Sequence, residues 1–129
     1  MNRMKSFALA VLTASLSGCC MFIPCHPGLW AHGMVTRAGT SEPIVGANVT
    51  VFGNTVRTGS DGCFKVDLAD ALPFEFTVTS AGYRPAISTP PRGYFKVNVD
   101  LARENSSEAS TVTWKISSSQ EFAASPNCK

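Results

Sequence analysis

Hydrophobic and polar residues alternate with a period of two along most of the chain. In ANVTVF (47–52) Val49 and Val51 share one face, with Asn48, Thr50 and Phe52 on the other. FEFTVTS (74–80) points Phe74, Phe76 and Val78 one way and Glu75, Thr77 and Thr79 to water; YFKVNVDL (94–101) points Phe95, Val97, Val99 and Leu101 inward, and TVTWKI (111–116) points Val112, Trp114 and Ile116. This is the signature of half-buried strands in a sheet with one wet face. Weaker segments fit around these four: a first strand near Gly33 to Arg37, TVRTG and CFKVDL on either side of the turn SDG, and YRPAIS as a short edge strand, where Pro85 is tolerated. Asp61-Gly62 is a hairpin signal, because glycine supplies the positive φ that such turns require. Close strand spacing broken by Gly and Pro predicts an all-β fold, a single Greek-key β-sandwich of about seven strands.

The amino end departs from this pattern. Arg3 and Lys5 precede the ten-residue apolar stretch Phe7 to Leu16, half the length that crosses a bilayer, so the segment reads as an export signal. Without residues 1–18, nine Lys and Arg face nine Asp and Glu, and the balance gives no sign of nucleic-acid binding. Leu16-Ser17-Gly18-Cys19 resembles the lipobox of bacterial lipoproteins: an apolar residue and two small ones before a cysteine whose thiol takes a diacylglycerol. The resemblance implies cleavage before Cys19, a lipid anchor on that residue, palmitate among its acyl chains, and a protein held to a membrane without crossing it. Cys20 stands where an Asp would signal inner-membrane retention, so the resemblance implies the outer membrane, facing the periplasm.

Cys20, Cys25, Cys63 and Cys128 remain, an even number in an exported chain. Sequence leaves their pairing open, and Cys128 is expected to bond either Cys25 or Cys63. The organisation predicted is a signal peptide (1–18), a lipidated spacer (19–28), a sandwich (29–116) that includes a polar loop at 102–110, and a loose C-terminal tail (117–129).

The order of strands and turns in the sandwich resembles the carboxypeptidase regulatory-like domain, which is prealbumin-like. Pro43-Ile44-x-Gly46-Ala47 leads into the strand of Val49 and Val51; Thr58-x-x-Asp61-Gly62-x-Phe64 follows; a strand with Val78 ends in Gly82-Tyr83. The likeness covers Gly33 to Tyr83 well and the last two strands in general character. Each position has a mechanical role: Pro43 presets φ, Gly46 takes a backbone angle closed to other residues, Ala47 leaves room between sheets, Phe64 buries a ring, and Gly82 lets Tyr83 fold over the end of the core. The motif specifies a shape and hardly any chemistry.

Catalytic candidates are sparse, and the chain is expected not to be an enzyme. His26 and His32 lie near the spacer, and Cys20, Cys25, His26 and His32 match no closed four-ligand metal pattern, so neither metal nor cofactor is expected. The 5-hydroxyisourate hydrolases share the prealbumin-like fold, but they need strand histidines and a C-terminal Tyr-Arg-Gly-Ser, whereas this chain ends SPNCK. Asp61, Asp67 and Asp70 are explained by turns. A small cationic and aromatic patch of Tyr94, Lys96, Arg92 and Arg84 is the candidate binding surface. The expected function is a noncatalytic envelope lipoprotein that binds or docks an envelope protein or glycan; the alternative is an accessory subunit of an envelope enzyme or transporter.

Overall fold

A computed structural model describes residues 28–68 and 75–128. The signal peptide, the lipobox at Leu16, Ser17, Gly18 and Cys19, the spacer with Cys25 and His26, and Asp70 and Phe74 lie outside the described residues.

Among the described residues eight strands form two four-stranded sheets: β1 (Leu29–Arg37), β2 (Asn48–Val51), β3 (Asn54–Arg57), β4 (Cys63–Leu68), β5 (Phe76–Thr79), β6 (Ala86–Ser88), β7 (Gly93–Leu101) and β8 (Thr111–Ile116). The strand orders are β4-β1-β7-β8 and β3-β2-β5-β6. The sequence predicts about seven; YRPAIS supplies the additional short strand, β6, at a sheet edge directly after Pro85. Every pairing is antiparallel except β1 with β7, which run parallel from Leu29↔Gly93 to Arg37↔Leu101. The alternation reads correctly on the core side: Val49, Val51, Phe76, Val78, Val97, Val99 and Leu101 are buried between the sheets with Leu29, Ala31, Val35, Phe64 and Val66. Trp114 joins the layers from β8, edge-on to Phe76 at 4.9 Å, with its indole N–H donating to Ser88 Oγ at 3.0 Å.

Four expectations are corrected. β1 begins at Leu29, not near Gly33, so the WAH segment is strand, paired with both β4 and β7. Ile116 is 89% exposed: β8 is an edge strand, and its last residue runs past the facing sheet. Asp61-Gly62 is not a hairpin turn, because β3 pairs with β2 while β4 pairs with β1; the turn is a corner carrying the chain from one sheet to the other. Gly62 (φ +70) donates to Gly59 O at 2.9 Å, and its carbonyl accepts from Val35 N–H; a Cβ there would lie 2.7 Å from Val35 O. The hairpin lies instead between β2 and β3, where Phe52 and Gly53 both have positive φ (52° and 73°), the combination a two-residue primed turn needs.

The fourth correction is the tail. Residues Ser119–Ala124 form a helix, α1, capped by the Ser118 hydroxyl, which accepts from Glu121 N–H at 3.1 Å. Cys63 and Cys128 form a disulfide that ties the segment after α1 to β4, selecting Cys63 from the two partners expected for Cys128.

The family-like positions act as joints. Pro43 bridges Thr36, Ile44 N–H donates to Val35 O, and Gly46 has φ +73. Tyr83, half-buried against the core, bridges Arg103, while the Gly82 carbonyl accepts from Glu104 N–H. The one buried polar side chain among the described residues, Thr58, closes the 44–47 turn: its hydroxyl donates to Ile44 O at 2.6 Å and accepts from Ala47 N–H at 2.8 Å. Thr58→Val keeps the shape but orphans both backbone groups. Denaturant titration is expected to show a loss of about 3 kcal/mol, against under ~1 kcal/mol if water replaces the hydroxyl.

Candidate binding cleft

The outward positions of β4, β1, β7 and β8 make one continuous face, and α1 lies across it. Register sets the rows. Trp30 faces Tyr94 across β1 and β7, and their rings stack at 4.7 Å with 14° between planes. In the next row, Lys65, His32, Lys96 and Lys115 fall side by side across all four strands. Adjacent strands stand about 4.8 Å apart, so this row spans about 14 Å.

Phe122 is the contact by which α1 sits on the face. Its ring meets Tyr94 at 6.0 Å and His32 at 6.2 Å, both edge-on, and Lys65 Nζ lies 4.5 Å from its centroid. Lys65 Nζ also donates to Ser125 O at 3.5 Å, so this lysine is used in holding the strap. Between strap and sheet an open cleft of about 730 Å³ remains, lined by His32, Met34, Phe64, Lys96, Glu121 and Pro126, with the Cys63–Cys128 bridge in its wall. Its lining is mostly apolar.

Two polar groups in the cleft are left over. Among the described residues, His32 Nδ1 is sealed from water without a hydrogen-bond partner. Lys96, which is exposed, forms no ion pair among the described residues, whose one ion pair is Arg37–Glu42 at 3.2 Å on another part of the surface. Burial, then the Lys96 charge, pushes the His32 pKa down from its ordinary value, Lys65 adding to this and Glu121 opposing it, so the imidazole is neutral near pH 7. Glu121 is turned toward α1's own start, its carboxylate accepting from the Ser117 hydroxyl at 2.7 Å.

The expected Tyr94, Lys96, Arg92 and Arg84 patch does not hold together. Tyr94 and Lys96 share the face, two residues apart on β7, and Arg92 is exposed just before that strand. Arg84 lies at the far end, its N–H donating to Ala102 O beyond Leu101. Its guanidinium organises the 104–108 loop, donating to Glu104 O, Ser106 O and Glu108 O. His32, Lys65, Met34 and Phe122 complete the site instead.

The sequence matches the carboxypeptidase regulatory-like domain over residues 31–114. The chain belongs to that family. The match runs through β7 and most of β8, beyond the part where the likeness is plain by eye. In this carboxypeptidase regulatory-like domain the cleft is built from β1, β4 and β7 together with a strap that follows the matched region. Comparison with curated proteins finds no match. Among solved structures, the chain is similar to a protein of unknown function from Bacteroides fragilis NCTC 9343 described as membrane-associated, with 19% identity and a TM-score of 0.47 over 65% of this chain and 31% of that one. The chain thus spans about a third of that protein's length. No helix among the described residues is long and apolar enough to cross a membrane.

Proposed function

We propose that this chain is a noncatalytic cell-envelope lipoprotein: a prealbumin-like, Greek-key sandwich anchored through lipid on Cys19 to the outer membrane, facing the periplasm, that docks an envelope partner of acidic character through the strapped face. The observation that carries the reading is the row Lys65-His32-Lys96-Lys115, in which Lys96 has no anion of its own among the described residues. An interface that buries an uncompensated ammonium requires a negative group opposite it. The strand orders β4-β1-β7-β8 and β3-β2-β5-β6 support the Greek-key description, and Leu16-Ser17-Gly18-Cys19 supports the anchor.

Crosslinking in intact cells, followed by identification of what is captured, tests the docking. Lys96→Glu is expected to remove the captured partner; capture that survives this reversal counts against the face. The anchor is tested separately. Cys19→Ser is expected to abolish fatty-acid labelling and release the protein from membranes, and labelling that persists refutes lipidation at that residue.

A further inference from the structure

The strapped cleft combines an apolar lining with a polar end that lacks partners. A ligand that buried only hydrocarbon there would cover the Lys96 ammonium and leave it unpaired; a small inorganic anion would leave Met34 and Pro126 wet. One chemistry satisfies both requirements. Glu121 narrows it further, because a carboxylate on the opposite wall opposes a second negative charge on the ligand.

We infer that the cleft is a binding site for a small amphiphilic monoanion, whose carboxylate pairs with the Lys96 ammonium beside His32 while its hydrocarbon lies along Met34 and Pro126. This goes beyond the proposed docking and shares with it only the premise that the strapped face is a binding surface. Charge supplies the orientation, since the ammonium attracts the head and the apolar wall attracts the chain. The strap supplies enclosure: α1 and the Cys63–Cys128 bridge make the wall that an open sheet face lacks.

His32 gives the site a pH dependence. It faces Lys65 from β4, Lys96 from β7 and Glu121 from α1, with Asp61 at the rim of the cleft and Lys115 further along the row. A bound carboxylate favours the imidazolium, so binding takes up a proton and strengthens as pH falls through the His32 titration.

The test is a calorimetric titration of the mature, disulfide-intact chain with octanoate, octan-1-ol and acetate as probes. Octanoate is expected to bind at least about tenfold more tightly than either of the others, because only it fills both halves of the site. Lys96→Met should weaken octanoate about tenfold and leave octan-1-ol unchanged, whereas Arg57→Met, on the exposed outside of the other sheet, should change the binding of neither. Glu121→Gln should tighten octanoate. Affinity should rise in the wild type as pH falls below about 6.5, the ordinary imidazole value from which His32 is pushed down, and stay level in His32→Gln. Absence of octanoate binding, equal binding of octanoate and octan-1-ol, or equal effects of Lys96→Met and Arg57→Met would each overturn the inference. Because crosslinking in cells reads the docking partner independently, capture without octanoate binding defeats this inference alone; octanoate binding without capture defeats the docking reading alone.

Discussion

Gly33→Ala is expected to prevent the domain from folding. Gly33 sits opposite Val97 in the parallel β1–β7 pair, and a Cβ built on it overlaps the Val97 carbonyl group far inside van der Waals contact. The obstacle is backbone, not the movable end of a side chain, so relief requires the two central strands of the sheet to part. Both carry buried core residues along their length, including Leu29, Ala31 and Val35 on β1 and Val97, Val99 and Leu101 on β7. Parting them is expected to cost upwards of about 4 kcal/mol, a large share of what a domain of this size has in total. Gly53→Ala is the matched control. That glycine has φ +73 with nothing within 4 Å of the added carbon, so only the local strain of about 1 kcal/mol is expected. Circular dichroism and denaturant midpoints on the two variants decide it: a Gly33→Ala protein as stable as Gly53→Ala would mean that β1 and β7 are not as close as described.

Loss of the Cys63–Cys128 bridge is the second large effect. The bonded residues are 65 positions apart, and the chain-entropy relation for a loop of that size gives about 4 kcal/mol of stabilisation through the unfolded state. Cys128→Ser should therefore lower the denaturant midpoint clearly. It should also act locally, because a six-residue helix cannot persist unaided and α1 has only Phe122 and its neighbours to hold it. Amide exchange over residues 119–124 is expected to approach that of an unstructured peptide while β1 and β7 stay protected. Exchange that is unchanged on reduction would show that the strap is held by packing alone.

Much of the sandwich was legible because alternation is a local signal and burial enforces it. Val97, Val99 and Leu101 are core in both readings because shifting them by one residue would put them all in water. Non-local matters were not legible. Asp61-Gly62 has the chemistry of a turn, and the sequence does not reveal whether the strands on either side will pair; here they part to different sheets. Phe52 hid the true hairpin, since an aromatic residue at positive φ is what a sequence reading discounts. The tail did contain a clue in Ser118-x-x-Glu121, the spacing of a capping box, but a helix this short gives no periodicity to accompany it.

The site was half visible for the same reason. Tyr94 and Lys96 stand out along one strand, whereas His32, Lys65 and Phe122 reach them only through cross-strand register and the return of the tail. Arg84 was grouped with them by residue type, though the length of β7 separates them. Once β1 is seen to start at Leu29, the alternation of Trp30, His32 and Met34 becomes a strand face, and the histidine no longer lies just outside the strands.

The parallel pairing of β1 with β7 also bears on how the polypeptide can be made. A ribosome or a translocation pore delivers β1 sixty-odd residues before its central partner, with Leu29 meeting Gly93 and Arg37 meeting Leu101. Until β7 has emerged, the nascent chain has no native neighbour for one whole edge of its first strand, and closing so distant a contact is slow. Such a chain holds its first strand without its central partner for most of its synthesis.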